Sequence, residues 1–269
     1  MTRSDFLKGA AALTAAGPGC RCPRCGGFAV GGIRIGVQMW SVNDIWKKNP
    51  ADAFRRLKAL GYDGVQSFGF YDMDWSELEK MLDGEGLEII DMPFKMETLK
   101  GDGFAKFVEF CLRFKIGFAF EPWAKYPSAA AWRAHTAELT ALSGCFAAHG
   151  IRTGYHNHQH ELRDRFEGMS PLEIIERAGL AFELDVGHVK IAGGDPVAWL
   201  KKLPGRVPSI HAKPGGGDAV GGPGDANDWP AIFAAASAAG TKWAIVECET
   251  RRDTYADVEA SAAFLAASL

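Results

Sequence analysis

The chain has 269 residues, 47% of them hydrophobic, and a formal net charge of −3. This length and composition suit one large α/β domain with a substantial buried core. Thirty basic and 33 acidic side chains leave no positive excess for nucleic acid and no polybasic membrane anchor, and no stretch reaches 18 apolar residues. We therefore expect a small-molecule ligand, with no nucleic acid and no membrane as a partner.

The first 30 residues differ in composition from the rest and are expected to form a leader without fixed structure. Residues 2–8, followed by a run of small apolar residues at 9–16, resemble a twin-arginine export signal. Ser4 stands where the second arginine of that signal belongs. The expected location is the periplasm if the leader functions and the cytoplasm if it is degenerate.

Six cysteines are divided between the leader and the rest of the chain. Cys20, Cys22 and Cys25 lack the second downstream pair that a zinc ribbon requires, so we exclude them from the active site. The other three cysteines, at positions 111, 145 and 248, are expected to be small buried apolar residues.

From residue 33 onward, β-branched or aromatic runs alternate with amphipathic segments. The runs that predict strands lie at 33–39, 64–68, 87–94, 117–121, 152–158, 181–186, 207–213 and 242–249. Asn49 and Pro50 precede a helix at 51–60, and Ser76 with Glu79 predicts a capping box for the next helix. Further helices are predicted at 104–114, 129–149, 171–177, 196–203, 229–239 and 255–267.

Eight strands alternating with helices predict an α/β protein, and specifically a (β/α)8 TIM barrel over residues 31–269. No strand is followed by the Gly-x-Gly-x-x-Gly turn of a dinucleotide-binding sheet, which argues against an open doubly wound fold. Residues 214–225 are rich in glycine and proline and predict a mobile loop on the active-site face. That loop is either a lid or a plain connection.

Metal-ligand side chains end four of the predicted strands. Because side chains alternate along a strand, residues two apart share a face. The pairs that this rule aligns, at the ends of strands five to eight, are His156 with His158, Glu183 with Asp185, His211 with Lys213, and Glu247 with Glu249. Imidazoles and carboxylates together favour Mn²⁺, Zn²⁺, Co²⁺ or Fe²⁺ over Ca²⁺, and Mg²⁺ is a further candidate.

Such a metal would polarise neighbouring oxygens of a sugar and ease removal of the adjacent carbon-bound proton. Glu247, His156 or His158 could take that proton. Lys213 could stabilise the oxyanion that develops.

Several motifs in these strands occur in a familiar order. They are GVQMWSV at 36–42, GYHNHQHEL at 154–162, ELDVGH at 183–188 followed by AGGDP at 192–196, IHAK at 210–213, DWPAIF at 228–233 and IVE at 245–247. Together they resemble the xylose isomerase-like barrel family of sugar phosphate isomerases, epimerases and related dehydratases, in a branch with a Tyr-His-Asn-His fifth strand. The resemblance implies a metal-dependent barrel enzyme acting on a small sugar, in a family whose members often form homo-oligomers.

The resemblance also implies a divalent metal held by Asp185, His211, Glu247 and one strand-five ligand. Many members have a glutamate at that fourth position, which His156 matches here. Pro214 stands where the family's seventh strand usually continues with an aspartate. No phosphate cradle is visible in the sequence, which favours a sugar without a phosphate.

Five further residues are predicted to bind substrate around the mouth of the barrel, three of them against a structural alternative. Trp123 could stack on a sugar or be buried, His188 could contact substrate or cap a loop, and Glu161 could reach hydroxyls or be a solvated loop residue. Gln38 and Trp40, at the end of the first strand, are expected to line the same mouth. His158 could instead hydrogen-bond a neighbouring ligand.

The leading hypothesis is a metal-dependent sugar or keto-sugar isomerase or epimerase, or a related lyase, that removes a proton next to a metal-polarised carbonyl. One alternative is a catalytically silent carbohydrate-binding barrel. Another is an endonuclease-type phosphodiesterase, which would need more metal ligands and a basic groove.

Overall fold

The computed structural model describes residues 29–249 and 254–268. Its strands, in chain order, are β1 Ala29–Val30, β2 Ile33–Gln38, β3 Gly64–Gln66, β4 Glu88–Ile89, β5 Met92–Pro93, β6 Phe118–Glu121, β7 Arg152–His156, β8 Ala181–Asp185, β9 Ser209–Ala212 and β10 Trp243–Val246. Every predicted strand contains at least one of β2 to β10, and the run at 87–94 contains both β4 and β5. The leader, including Cys20, Cys22 and Cys25, lies outside the described residues except at its end, which forms β1.

Nine strands run parallel in one nearly closed barrel. The order is β4-β3-β2-β10-β9-β8-β7-β6-β5, and β1 pairs antiparallel with β2. Two residues, Ile90 and Asp91, separate β4 from β5, so these are the two halves of a single barrel strand. β4 pairs with β3, and β5 pairs with β6, which closes the barrel. The predicted (β/α)8 architecture is confirmed.

Eleven α-helices occur in the described ranges. They are α1 Asn43–Lys48, α2 Pro50–Ala59, α3 Trp75–Glu85, α4 Gly103–Arg113, α5 Ala129–Ala147, α6 Gln159–Arg163, α7 Pro171–Arg177, α8 Val186–Ile191, α9 Pro196–Lys202, α10 Trp229–Ala239 and α11 Thr254–Ser268. The short helices α1, α6 and α8, and 3-10 turns at Met39–Val42 and Met96–Leu99, were not predicted because each is too short for a periodic apolar pattern. None of the described helices has the length and apolar character needed to span a membrane.

The predicted capping box at Ser76 and Glu79 is wrong. Helix α3 begins at Trp75, and the carboxylate of Asp74 accepts hydrogen bonds from the backbone N–H groups of Ser76 (2.8 Å) and Glu77 (3.1 Å). An aspartate is as good an N-cap as a serine, and here it stands two residues earlier. The predicted start of α2 is confirmed, because the Asn49 side chain accepts from the N–H of Asp52.

Apolar side chains on the strands fix which residues face the barrel interior. In β2, Ile33, Ile35 and Val37 are fully buried, while Gln38 lines the central cavity. A shift of one residue would reverse these faces and expose the apolar set to the polar interior. Of the cysteines expected to be buried, Cys111 and Cys248 are buried and Cys145 is exposed.

The glycine-rich segment after β9 contains no helix, as predicted, but it is not a loose connection. The Asp225 carboxylate accepts hydrogen bonds from the N–H groups of Gly215 (2.7 Å), Gly221 (2.8 Å) and Asn227 (3.1 Å). Trp229 donates its indole N–H to the same carboxylate at 2.6 Å. Four donors on one side chain hold the loop folded, which corrects the expectation of a mobile segment.

Candidate metal and substrate site

Asp185 lies at the last position of β8, where its side chain also caps helix α8. One carboxylate oxygen, Oδ1, accepts from the backbone N–H of His188 at 2.6 Å. The other, Oδ2, is buried without a hydrogen-bond partner among the described residues, and lies 3.8 Å from Nδ1 of His211. A buried carboxylate oxygen that lacks a donor is costly unless a cation faces it.

His211, on β9, stands between two groups of acceptors. Its Nδ1 lies 3.1 Å from Oε2 of Glu247, while its Nε2 lies 2.8 Å from Oε1 of Gln66 and 3.1 Å from Oε2 of Glu183. Burial lowers the pKa of this imidazole, but the carboxylates of Glu183 and Glu247 outweigh burial and raise it well above its ordinary value. The ring therefore carries a proton at Nδ1 where a metal ion could take its place.

His156, at the end of β7, faces the same glutamate. Its Nδ1 lies 3.0 Å from Oε2 of Glu183. Burial opposes ionisation of the Glu183 carboxyl, but the imidazoles of His211 and His156 lower its pKa to about 2. With Nδ1 facing Glu183, the Nε2 atom of His156 makes no hydrogen bond with the described residues and is left for the cavity, which this side chain lines.

Asn157 fixes β7 against β8 just beyond their last ladder pair. Its Nδ2 donates to the carbonyl oxygen of Asp185 (3.2 Å), and its Oδ1 accepts from the N–H of the same residue (3.0 Å). This exchange sets the spacing between His156 and Asp185.

Lys213 is the cation at the β10 side of the site. Its Nζ lies 3.1 Å from Oε2 of Glu247 and also contacts the Glu249 carboxylate. Burial lowers the pKa of Lys213, but Glu247, Asp185 and Glu249 raise it above its usual value. Burial opposes ionisation of Glu247, whereas His211 and Lys213 hold its pKa well below the usual range. Both groups are therefore charged at neutral pH.

A polar network in the barrel interior underlies these residues. Gln66 donates to Oδ1 of Asp91 at 2.9 Å and contacts Glu183, and Ser209 donates to Oδ2 of Asp91 at 3.0 Å. Burial and the nearby Glu183 charge raise the pKa of Asp91 well above its usual value. Through Gln66, this network holds the Glu183 carboxylate in place.

Two more histidines stand above the carboxylates. The ring of His158 is centred 4.9 Å from that of His156 and 4.7 Å from that of His188. Burial, followed by repulsion from these two neighbours, lowers the pKa of His158 to about 2. Nδ1 of His158 and Nδ1 of His188 are buried and unpartnered within the described ranges. The alternative that His188 caps the loop after strand six is not what the structure has: Asp185 is the cap, and the backbone N–H of His188 is the group that it caps.

Glu161 does not face the cavity. It is fully buried at the start of α6, where its carboxylate accepts from the Tyr155 hydroxyl (2.6 Å) and from the N–H of His158 (2.8 Å). With both oxygens occupied, its geometry suits holding His158 in place and not the contact with substrate hydroxyls that the sequence suggested.

A cavity of about 210 Å³ lies beside these residues, and Gln38 is the one of the five predicted substrate-binding residues that lines it. The residues that line it are Gln38, Gln66, Phe68, Pro93, Phe120, Pro122, His156, His158, His211 and Glu247. Trp40 follows Gln38 in a 3-10 turn and Trp123 follows Pro122; both indoles are exposed, so the buried alternative for Trp123 is wrong. Lys213 and His188 adjoin this cavity through Glu247 and His158.

The donor set fits a divalent cation. One ligand atom each from Asp185, His211 and Glu247 can be chosen within 4.8 Å of one another, and all three residues are buried. A second such group consists of His156, Glu183 and His211, and a third of His156, His158 and His188. The orphaned Asp185 Oδ2 belongs to the first group, whose two carboxylates also supply negative charge for a divalent cation, so this group is the strongest candidate for an ion.

The four strand-end residues that the sequence predicted, His156, Asp185, His211 and Glu247, do lie close together, but the residues behind them were missed. Glu183 was aligned with Asp185 without being given a role, although its position two residues earlier in a buried strand was the available signal. Gln66, Asp91 and Ser209 were not identified, because single polar residues inside apolar strands gain meaning only when the barrel brings them together.

Comparison with known proteins agrees with this architecture. A family model described as "Xylose isomerase-like TIM barrel" matches residues 54–268. The rhizopine catabolism protein MocC of Rhizobium meliloti is 28% identical over 188 residues, which span 61% of this chain and 57% of that protein. The chain thus matches little more than half the length of this relative.

Two solved structures have the same fold. A sugar phosphate isomerase/epimerase from Parabacteroides distasonis superposes with a TM-score of 0.75 at 23% identity, over 88% of this chain and 94% of that one. The IOLI protein, crystallised with a bound zinc atom, superposes with a TM-score of 0.62 at 13% identity, over 86% of this chain and 94% of that one. At these identities, the likeness concerns the fold alone.

Proposed function

Since the chain belongs to the xylose isomerase-like TIM barrel family, we propose that it is a metal-dependent sugar or keto-sugar isomerase or epimerase, with a related lyase reaction as the nearest variant. The observation that carries the proposal is the buried, unpartnered Oδ2 of Asp185, close to His211 Nδ1. Solved neighbours that are described as sugar isomerases or epimerases support this proposal.

Asp185, His211 and Glu247 would hold the ion. When bound, a divalent ion at this place supplies Lewis acidity toward the carbonyl and hydroxyl oxygens of a sugar in the cavity. Mn²⁺, Co²⁺, Zn²⁺ and Mg²⁺ are the candidates, and the two carboxylates and one imidazole are compatible with each of them.

His156 is the proposed base. Its Nε2 is the free nitrogen at the cavity, and Glu183, 3.0 Å from Nδ1, fixes the tautomer and stabilises the imidazolium that forms when Nε2 takes a carbon-bound proton. Lys213 provides a positive charge near the oxyanion that develops on the sugar. Phe120, whose ring is centred 6.0 Å from that of His156, excludes water from one side of this base.

Solvent-deuterium exchange tests the activity. The full chain, loaded with Mn²⁺, is incubated in D₂O with a panel of unphosphorylated and phosphorylated ketohexoses, and carbon-bound deuterium is measured by mass spectrometry. We expect exchange with wild type and its loss in Glu247→Gln. Glu176→Gln is the control, because Glu176 forms ion pairs with Lys202 and Arg206 away from the cavity. Sugar binding without any exchange would instead support the silent barrel.

The role of His156 is tested by calorimetry beside the exchange assay. We expect His156→Asn to lose exchange while keeping Mn²⁺ affinity within a few-fold of wild type. His149→Asn is the matched control, since His149 is an exposed histidine. If His156→Asn loses metal affinity as steeply as His211→Asn does, His156 is the fourth ligand and not the base.

A further inference from the structure

The cavity beside the candidate metal ligands is sized for one sugar ring. Its volume of about 210 Å³ lies below the range of roughly 300 to 1,000 Å³ that is usual for pockets holding drug-sized ligands. A larger substrate could place only part of itself inside. The remainder would rest on the rim.

Two tryptophans stand on that rim, and neither is covered. Trp40 is 56% exposed and Trp123 is 54% exposed. Each adjoins a residue that lines the cavity: the Trp40 ring packs edge-on against Phe68 with centroids 6.5 Å apart, and Trp123 directly follows Pro122. A ligand that fills the cavity alone leaves most of both indoles in water.

The backbone holds both tryptophans firmly. The 3-10 turn that carries Trp40 is tied to the end of β10, because the N–H of Cys248 donates to the Ser41 hydroxyl at 3.0 Å. The segment that carries Trp123 is fixed by His160, whose Nε2 lies 2.8 Å from the carbonyl oxygen of Ala124. Aromatic side chains on anchored backbone lose little entropy when a ligand stacks on them.

The mouth of the barrel has two different halves. Besides the amides of Gln38 and Gln66, the strand ends from β2 to β6 contribute aromatic and apolar groups, namely Trp40, Phe68, Pro93, Phe120, Pro122 and Trp123. The strand ends from β7 to β10 contribute the ionisable groups of the candidate metal site. A sugar ring held by the second half would therefore have an aromatic surface beside it, on which a further ring could stack.

We propose that the substrate is a glycoside with two rings: one sugar ring occupies the cavity, and a second ring, joined by a glycosidic bond, stacks on one of the two exposed indoles, that of Trp40 or that of Trp123. The proposal rests on the sugar chemistry proposed above. The second ring is either another sugar or an aromatic aglycone, since both offer an apolar face to an indole. A second copy of the chain is a poorer occupant, because covering both tryptophans would close the mouth to substrate.

Ligand binding to the full, Mn²⁺-loaded chain tests this proposal. Methyl glucoside is the one-ring probe, while phenyl glucoside, cellobiose and maltose are the two-ring probes, with phenyl glucoside provided as both anomers. We expect at least one two-ring probe to bind about tenfold more tightly than methyl glucoside of the same anomeric configuration. Preference for the disaccharides indicates a second sugar, and preference for phenyl glucoside indicates an aromatic aglycone.

At least one of the variants Trp40→Ala and Trp123→Ala should weaken binding of the two-ring probe about 3- to 10-fold, and by more than it weakens binding of methyl glucoside. Leu112→Ala is the matched control, because Leu112 is 55% exposed but lies on α4, outside the mouth. Equal affinities for the one-ring and the two-ring probes would overturn the proposal, as would the absence of binding by any probe. A change of oligomeric state in the tryptophan variants, measured by light scattering, would also overturn it.

Failure of this inference is distinguishable from failure of the proposed function. Metal binding and deuterium exchange into free ketoses test the proposed isomerase or epimerase activity. The affinity difference between one-ring and two-ring probes shows whether the protein binds a second ring.

Discussion

Oε2 of Glu183 lies 3.1 Å from Nε2 of His211. The same oxygen is 3.0 Å from Nδ1 of His156, so one buried carboxylate contacts two imidazoles on neighbouring strands. Because each imidazole has two nitrogens, an acceptor at one of them determines which atom is left for the cavity. Glu183 thereby directs Nδ1 of His211 and Nε2 of His156 toward the candidate site.

Replacing Glu183 with glutamine should weaken metal binding about 10- to 100-fold, as the loss of a carboxylate behind a ligating histidine does elsewhere. The amide keeps the shape of the side chain but removes the charge that fixes both rings. Isothermal titration with Mn²⁺ and with Zn²⁺ at one pH measures the change. Unaltered affinity in a folded Glu183→Gln protein would show that Glu183 does not orient His211.

Glu176→Gln provides the control for this experiment. Glu176 is also a carboxylate with two cationic partners, Lys202 at 2.9 Å and Arg206 at 3.1 Å, but it lies on α7 outside the barrel interior. Its replacement should leave metal affinity unchanged. Any small change in stability can be compared between the two variants by thermal denaturation.

Much of this arrangement could be predicted from strand alternation. The apolar runs that end at Asp185, at His211 and at Glu247 fixed both the inward face and the end of each strand, and parallel strands place those ends together. The eight barrel strands were predicted for the same reason, although β4 and β5 appeared as one run. The break between β4 and β5 at Asp91 could not be predicted from the sequence of that run. It arises because β4 pairs with β3 whereas β5 pairs with β6.

Contacts across the barrel could not be predicted in this way. Gln66 and Ser209 meet Asp91 and Glu183 only after strands far apart in sequence close into a cycle. The role of Glu161 was missed because the residue it caps is His158, and histidine is not among the preferred N-cap residues. Such contacts depend on tertiary structure, which a pattern within one strand does not record.

The stability that the capping box of helix α7 contributes should depend on pH. Oε2 of Glu173 accepts from the N–H of Ser170 at 2.7 Å and from Arg165 at 3.1 Å, and the backbone hydrogen bond is the main reason that the pKa of Glu173 is below its usual value. A carboxyl with a lowered pKa stabilises the fold above its unfolded-state pKa, and this contribution is lost as the pH falls through the folded-state value.

We therefore expect Glu173→Gln to be less stable than wild type at pH 7, with the difference shrinking as the pH falls below about 4. Glutamine still offers a carbonyl oxygen to Ser170, so the two proteins should converge once Glu173 is protonated. Urea denaturation across a pH series gives the two curves. A difference in the free energy of unfolding that is constant with pH would contradict this account.

Gly187 allows α8 to start close to the end of β9. A Cβ atom at this position would lie 2.7 Å from the carbonyl oxygens of both Lys213 and Pro214. Gly187→Ala should therefore destabilise the fold by about 1 to 3 kcal/mol, as overpacking in a buried region does. It should also weaken Mn²⁺ binding, because Asp185 and Lys213 flank the contact.

Gly84→Ala is the matched control for that substitution. Gly84 lies within α3, and nothing is found within 4 Å of a Cβ atom built on it. Alanine favours helix over glycine by about 1 kcal/mol, so this variant should be slightly more stable than wild type. Thermal denaturation of the two variants should thus give shifts in melting temperature of opposite sign. If Gly187→Ala were instead stabilising, helix α8 could move away from the carbonyl oxygens without a loss of stability.

Asp225 should be the residue on which the glycine-rich loop depends. Its carboxylate accepts from three backbone N–H groups and from the Trp229 indole, and Asn227 in the same loop donates to the carbonyl oxygen of Lys213 at 3.0 Å. Asp225→Ala leaves those donors without their acceptor, and we expect a loss of about 2 to 4 kcal/mol in the free energy of unfolding.

Asp218→Ala is the control in the same loop, because Asp218 is exposed. It should change stability by less than about 0.5 kcal/mol. Limited proteolysis supplies the second measurement: Asp225→Ala should be cleaved within residues 214–225 several-fold faster than wild type, whereas Asp218→Ala should not. Equal cleavage rates in all three proteins would mean that the loop is held by its other contacts, such as the hydrogen bond from Val220 N–H to the Ser261 hydroxyl at 3.0 Å.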